Sequence, residues 1–249
     1  GDELVITGDL LGGSSPDKDL TLTVTENTDD STNSIVDFSL SGTPRAGRFV
    51  AVAPTNTILY SDDGTSWSET TTSFDGDYFR IAAGDNRFVA LARNENRISF
   101  SYTGESWITR SLPQSANWTD LKYEKGRFYI IADDANVVIY SADGLNWSSA
   151  TIPDAGDSAI NQWQGFAYGQ GVYKIVSGSN GAVATSTNGT TWTVTTGNFP
   201  DDGFNFVDLV YGANRFIGFT SSGRTVYSVD HGETWLEGTV APNPGAGPA

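Results

Sequence analysis

The stretch Ser61-Asp-Asp-Gly-Thr-Ser-Trp67 decides how this chain is read, because it returns four more times in the same phase. It recurs as Ser101-Tyr-Thr-Gly-Glu-Ser-Trp107, Ser141-Ala-Asp-Gly-Leu-Asn-Trp147, Ser186-Thr-Asn-Gly-Thr-Thr-Trp192 and Ser228-Val-Asp-His-Gly-Glu-Thr-Trp235. Successive tryptophans lie 40, 40, 45 and 43 residues apart, the length of one four-stranded propeller blade. A second phrase keeps step: Arg48-Phe-Val-Ala-Val, Arg87-Phe-Val-Ala-Leu, Arg127-Phe-Tyr-Ile-Ile, Val172-Tyr-Lys-Ile-Val and Arg215-Phe-Ile-Gly-Phe. Each is a β-branched and aromatic run after a Gly- or Asn-containing turn, the pattern of a strand.

Working outward, Ile58-Leu-Tyr60 and its equivalents supply a third strand, and a fourth begins at each Trp. The remaining strand precedes the Arg-Phe phrase: Tyr78–Ala83, Trp118–Tyr123, Trp163–Tyr168 and Phe206–Tyr211. Ile35–Leu40 is ambiguous. It is assigned as the matching strand of the first repeat, with the last strand of an N-terminal module as the alternative. No stretch shows capped helical periodicity. The expectation is an all-β chain: a five-bladed β-propeller over 34–240, an N-terminal β module or linker over 1–33 that could extend to 44, and a flexible tail over 241–249.

Composition narrows the function classes. The chain has 249 residues and a formal net charge of −16, which repels phosphates, so no nucleic acid partner is expected. Cys is absent and His231 is the sole histidine. Disulfides, thiol catalysis and multi-His metal sites are thereby excluded, and no metal or cofactor is expected. No apolar run of about 18 residues occurs, so no membrane insertion is expected. Met is absent too, so Gly1 is read as the start of a processed product or of part of a longer chain.

In the repeated turn, Ser and Asp side chains can hold backbone N–H groups, Gly supplies a left-handed residue, and Trp covers apolar surface. The phrase resembles the Asp box (BNR repeat) of sialidase-like propellers. Blade five carries the full form at Ser228, Asp230, Gly232, Thr234 and Trp235; the other four are one residue shorter, with Thr103 and Asn188 replacing Asp. The resemblance implies scaffold, away from any substrate face. Its structural positions are Ser61, Asp63, Gly64 and Trp67; Ser101, Gly104 and Trp107; Ser141, Asp143, Gly144 and Trp147; Ser186, Asn188, Gly189 and Trp192; and Ser228, Asp230, Gly232 and Trp235. Arg48, Arg87, Arg127 and Arg215 share one repeat position, so they are expected to make a repeated structural salt bridge rather than a carboxylate clamp. Asn56, Asn96, Asn136, Asn180 and Gly223 mark turns where positive φ is tolerated.

The N-terminal pattern, from Glu3-Leu-Val-Ile-Thr7 through Gly8–Asp19 to Leu20-Thr-Leu-Thr-Val-Thr25, resembles a small β module of bacteriophage virion and fibre proteins. That resemblance implies a virion-surface or extracellular setting. The implied partners are other virion or surface structural proteins and a host-surface glycan.

Ligand-binding candidates follow from strand periodicity. Tyr78, Trp118, Trp163 and Phe206 open the innermost strands, and Arg80, Asp120 and Asp208 lie two residues on, which places them on the same side. Rings beside carboxylates suit sugars; packing between blades is the competing role. Asp120 and Asp208 are the best carboxylate pair for a glycan-cleaving hydrolase. No nucleophile set is identifiable, so the expectation is a non-enzymatic structural or adhesion module, with hydrolase and protein-interaction scaffold as alternatives.

Overall fold

The computed structural model describes residues 21–25, 37–41, 48–53, 56–154, 162–200 and 205–238. The expected strand Glu3–Thr7, the segment Gly8–Asp19 and the tail from Ala241 lie outside the described residues. The chain forms two compact units, residues 1–46 and 47–249.

In the first unit, β1 (Thr21–Thr25) and β2 (Asp37–Ser41) pair antiparallel, with Thr21 opposite Ser41 and Thr25 opposite Asp37. Residues 37–40 of the segment Ile35–Leu40, assigned from sequence to the innermost strand of the first repeat with the last strand of an N-terminal module as the alternative, pair with β1.

The second unit is a five-bladed β-propeller, and no helix occurs among the described residues. Blade 1 has three strands: β3 (Phe49–Val52), β4 (Thr57–Ser61) and β5 (Ser68–Thr71). Blade 2 comprises β6 (Tyr78–Gly84), β7 (Arg87–Ala92), β8 (Arg97–Ser101) and β9 (Ile108–Ser111). Blade 3 comprises β10 (Trp118–Glu124), β11 (Arg127–Ala132), β12 (Val137–Ser141) and β13 (Ser148–Thr151). Blade 4 follows with β14 (Trp163–Gly169), β15 (Val172–Ser177), β16 (Ala182–Ser186) and β17 (Thr193–Thr196). Blade 5 has β18 (Phe206–Gly212), β19 (Arg215–Thr220), β20 (Thr225–Ser228) and β21 (Leu236–Glu237). Every sheet is an antiparallel meander in chain order, and β6, β10, β14 and β18 are its inner strands.

Two-residue turns join each inner strand to the next. Asp85-Asn86, Lys125-Gly126, Gln170-Gly171 and Ala213-Asn214 all have positive φ at both residues, the twist-matched hairpin geometry. Positive φ was expected at Asn56, Asn96, Asn136 and Asn180 but is absent there; of that set only Gly223 shows it, at 79°. The asparagines act through their carbonyls instead. Asn56, Asn96 and Asn136 accept from the N–H groups of Thr72, Leu112 and Ile152 at 3.1, 2.7 and 3.0 Å, pinning the end of the outer strand.

The tryptophan turns are held as their residue types require. Ser61 Oγ accepts from Gly64 N at 2.8 Å, and Asp63 Oδ1 accepts from Thr65 N and Ser66 N at 2.7 Å. Ser141 with Asp143 and Ser186 with Asn188 repeat this network, and Ser228 with Asp230 reaches one residue further, to Gly232 N and Thr234 N. Thr103 has a shorter reach and accepts from Glu105 N alone, at 3.2 Å.

These turns also join blades. Arg48 of blade 1 reaches Thr103 O and the Glu105 carboxylate in the turn of blade 2, while pairing with Asp62 at 2.8 Å. Arg87 and Arg127 reach Ala142 O and Asn188 O in the following blades. In blade 4, where Val172 stands at the arginine position, Gln170 of the preceding turn makes the bridge, donating to Val229 O and accepting from His231 N. The repeated arginine is a bridge between blades, and it makes a salt bridge only where a carboxylate happens to lie near, as for Arg48 and Arg87.

Candidate functional site

A β-bulge sits near the start of every inner strand. The register passes from Tyr78 opposite Ala92 to Arg80 opposite Leu91, with the same step at Trp118/Asp120, Trp163/Gly165 and Phe206/Asp208. One extra residue turns neighbouring side chains away from strict alternation. The four aromatic candidates and the charged candidates two residues on therefore do not share a face.

The aromatic side chains go into the body. Tyr78, Trp118, Trp163 and Phe206 are all at most 1% exposed. Tyr78 Oη bonds Ser99 Oγ at 2.6 Å, Trp118 Nε1 donates to Glu95 O of the preceding blade at 2.6 Å, and Trp163 Nε1 donates to Asn136 Oδ1 at 3.1 Å. The sugar-stacking role proposed from sequence does not fall to these rings: each is sealed between blades with its polar atom satisfied or its faces covered.

Arg80, Asp120 and Asp208 do come together on the inner strands, and they bring Lys122, which the sequence reading passed over. Lys122 Nζ lies 3.5 Å from Asp120 Oδ2 and 3.6 Å from Asp208 Oδ1, and Arg80 Nε is 3.5 Å from Asp120 Oδ1. By the triangle inequality the two carboxylate oxygens on Lys122 are at most about 7.1 Å apart. Each aspartate also caps its own bulge, Asp120 Oδ1 accepting from Leu121 N at 2.9 Å and Asp208 Oδ1 from Leu209 N at 2.8 Å. Burial pushes the Asp120 carboxyl up; the Lys122 ammonium opposes this, the Asp208 charge adds to it and Arg80 opposes it again. Asp120 Oδ2 is buried without a hydrogen bond, held only by the ion contact to Lys122.

Blade 4 has Gly165 at the position of Asp120. A Cβ there would lie 2.4 Å from Leu209 N and 2.7 Å from the Asp208 carbonyl carbon. The missing side chain lets the inner strand of blade 5 press against that of blade 4, which delivers Asp208 to Lys122.

Beside this contact, at the start of the inner strands, blades 4 and 5 open a cleft of about 430 Å³. Its side chains are Gln162, Gln164, Ser179, Asn205 and Ser221, with Gly178, Val207 and the edge of Phe206. The backbone frame is rigid, since Gly178 N donates to Gln162 O at 2.8 Å and Ser221 N to Asn205 O at 3.0 Å. The same frame in blades 2 and 3 carries charge instead: Arg93 pairs with Asp77 at 3.6 Å and lies 4.2 Å over the Phe79 ring, while Asn117 binds Asp133 and Asp134. This face is thus charged at blades 2 and 3, and amide- and hydroxyl-lined between blades 4 and 5. Among the described residues no group of His, Cys, Asp and Glu is placed to hold a metal ion.

Fold and inner-strand geometry define a β-propeller protein. Residues 76–217 match the DUF6242 beta propeller domain. The chain belongs to that family. Comparison with curated proteins returns no match. Among solved structures, the chain is similar to virginiamycin B lyase from Staphylococcus aureus, at 13% identity and a TM-score of 0.64, over 89% of this chain and 78% of the lyase. It is similar to YCF48 bound to D1 peptide, at 17% identity and a TM-score of 0.54, over 74% of this chain. It is also similar to the GH74 enzyme of Niastella koreensis, at 17% identity and a TM-score of 0.53, over 78% of this chain. The matched part spans 61% of the YCF48 chain and 30% of the GH74 chain. At these identities the likeness is one of fold, shared by enzymes and binding proteins.

Proposed function

We propose that this propeller is a non-catalytic recognition and display module of a virion or other extracellular surface, and that its ligand is a neutral glycan bound at the cleft between blades 4 and 5. The observation that carries this reading is the cleft's lining. Amides and hydroxyls both donate and accept hydrogen bonds without charge, matching sugar hydroxyls. The net charge of −16 disfavours sialylated and other anionic glycans. The Asp-box resemblance of the turns supports a propeller that presents loops from a fixed scaffold, and the phage-like N-terminal pattern supports the setting. Weak individual binding would suit attachment by many displayed copies.

The second reading, a hydrolase using Asp120 and Asp208, has their separation in its favour. Against it, both carboxylates are held by one ammonium, and Asp120 is 4% exposed at its side chain, leaving it no access to a sugar. A panel of neutral and anionic oligosaccharides, followed by calorimetric titration of the binders, tests the proposal. Gln164→Ala and Asn205→Ala should each weaken a neutral ligand by about 2- to 12-fold, the value of one neutral hydrogen bond. Labelled glycosides should not turn over. Binding unaffected by both variants refutes the cleft, and turnover lost on Asp120→Asn establishes the hydrolase.

A further inference from the structure

The residue that follows an asparagine governs how long its amide survives. The backbone nitrogen of that residue can attack the asparagine Cγ. The N–Cγ bond forms, the Cγ–Nδ2 bond breaks, and the proton from the backbone nitrogen leaves with Nδ2 as ammonia. Water then opens the five-membered succinimide to aspartate or isoaspartate, so one water is taken up for each ammonia released. Glycine in the second place favours the attack, because no Cβ hinders the approach of its nitrogen. The chain has two Asn-Gly peptides, Asn180-Gly181 and Asn188-Gly189, both in blade 4.

Asn188-Gly189 lies in a tryptophan turn, and the turn guards it. Gly189 N donates to Ser186 Oγ at 2.8 Å, which holds both the nitrogen that would attack and the proton it would have to lose. The Asn188 side chain is pinned as well. Its Oδ1 accepts from Thr190 N at 2.9 Å and Thr191 N at 2.8 Å, and its Nδ2 donates to Thr191 Oγ1 at 3.3 Å. Gly189 itself is buried against Tyr129. The same guard stands at Asp63-Gly64 and Asp143-Gly144, where Ser61 Oγ accepts from Gly64 N and Ser141 Oγ from Gly144 N, each at 2.8 Å.

Asn180-Gly181, in the hairpin between β15 and β16, also has a serine nearby, but that serine bonds elsewhere. Ser177 Oγ accepts from Ser179 N at 3.2 Å and Asn180 N at 3.4 Å. Among the described residues no hydrogen bond holds Gly181 N. Asn180 is exposed to water. Its Oδ1 accepts from Ala182 N at 3.1 Å, an Asx turn that folds the side chain back along its own backbone toward the next peptide.

We propose that Asn180 deamidates spontaneously through Gly181 N, while Ser186 Oγ shields Asn188 from the same reaction. The product carries a new carboxylate next to Ser179, which lines the cleft between blades 4 and 5. A cleft lined without charge thereby gains a negative charge at its rim and turns anionic ligands away more strongly. That consequence rests on the glycan reading; the reaction does not, and it is measured with no ligand present.

Peptide mapping by mass spectrometry, on the full chain kept folded in mildly alkaline buffer and on the chain in urea, tests this. In urea both asparagines should convert. In the folded chain Asn180 should convert while Asn188 keeps its amide. Ser186→Ala should speed conversion of Asn188 by about 2- to 12-fold, the value of one neutral hydrogen bond, and leave Asn180 unchanged. Ser141→Ala loses the equivalent bonds in blade 3 and should leave Asn188 slow, which separates guarding from general loosening. Asn180→Gln should remove the acidic species that accumulates on anion exchange, since glutamine would have to close a less favourable six-membered ring. An Asn180 that stays intact in the folded chain after converting in urea overturns the proposal. So does an Asn188 that converts as fast as Asn180, or one that Ser141→Ala speeds as much as Ser186→Ala does.

Discussion

Alanine at position 165 adds one methyl group where blade 4 meets the backbone of blade 5. That Cβ would lie 2.4 Å from Leu209 N, 2.7 Å from the Asp208 carbonyl carbon and 2.9 Å from Leu209 Cβ. Two of the three are backbone atoms, which cannot rotate away, so the inner strands must separate by roughly 1 Å to reach ordinary contact of about 3.5 Å. Overpacking of this kind costs about 1–3 kcal/mol. In a domain of this size each kcal/mol moves the midpoint by about 2–4 °C, so Gly165→Ala should lower Tm by roughly 2–12 °C. The separation also draws Asp208 from Lys122, now 3.6 Å away. Gly212→Ala is the control, since a Cβ there meets nothing within 4 Å and its φ is not positive; its effect should stay within about 0.5 kcal/mol. Calorimetric melts of both variants at neutral pH decide the matter, and equal Tm values would refute the argument that Gly165 is there for close approach.

Other expectations follow from the same contacts. Ser186→Ala leaves the N–H groups of Gly189 and Asn188 without their Oγ acceptor and should cost about 1–3 kcal/mol in urea unfolding. Thr103→Asp should do the reverse, stabilising by about 0.5–1.5 kcal/mol, because a carboxylate can accept from two turn N–H groups where Thr103 accepts from one. At Asp143, burial pushes the carboxyl up, but hydrogen bonds from Asn146 and Leu145 bring it down to about 2. Its contribution is present above about pH 4, the unfolded value, and is lost as pH falls through about 2; acid titration of Asp143→Asn should lack that component. Asp120 runs the other way: its raised folded value makes its contribution greatest below about pH 4 and lost as pH rises. Asp120→Asn should therefore gain on the wild type between acid and neutral pH in parallel melts.

The blade repeat was legible because it is written in residues that do one job each. Trp, Gly and the Ser-Asp pair fix a turn, and the run between Arg87 and Leu91 can hardly be anything but a strand. The inner strands were legible in extent, the observed Tyr78–Gly84 and Trp118–Glu124 ending one residue past the reading, but not in orientation. A bulge leaves no clear mark in sequence, and it undid the inference that Trp118 and Asp120 share a side. Asp120 and Asp208 were found for a reason that survived it, their common place in the inner strand. Lys122 could have been found by continuing two more residues along β10. The cleft between blades 4 and 5 depends on loop spacing across two blades, and the close approach beside it on the absent side chain of Gly165. The sequence shows a glycine there but not what presses against it.

The central claim is that the repeated aromatic residues are architecture, sealed between blades. Hydroxyl-radical footprinting of the dilute protein, read by mass spectrometry at each tryptophan, tests it directly. Trp67 should oxidise fastest, while Trp118, Trp163, Trp192 and Trp235 should be protected until the protein unfolds. Rapid oxidation of Trp118 and Trp163 in the folded protein would show open ring platforms on the inner strands and contradict the account.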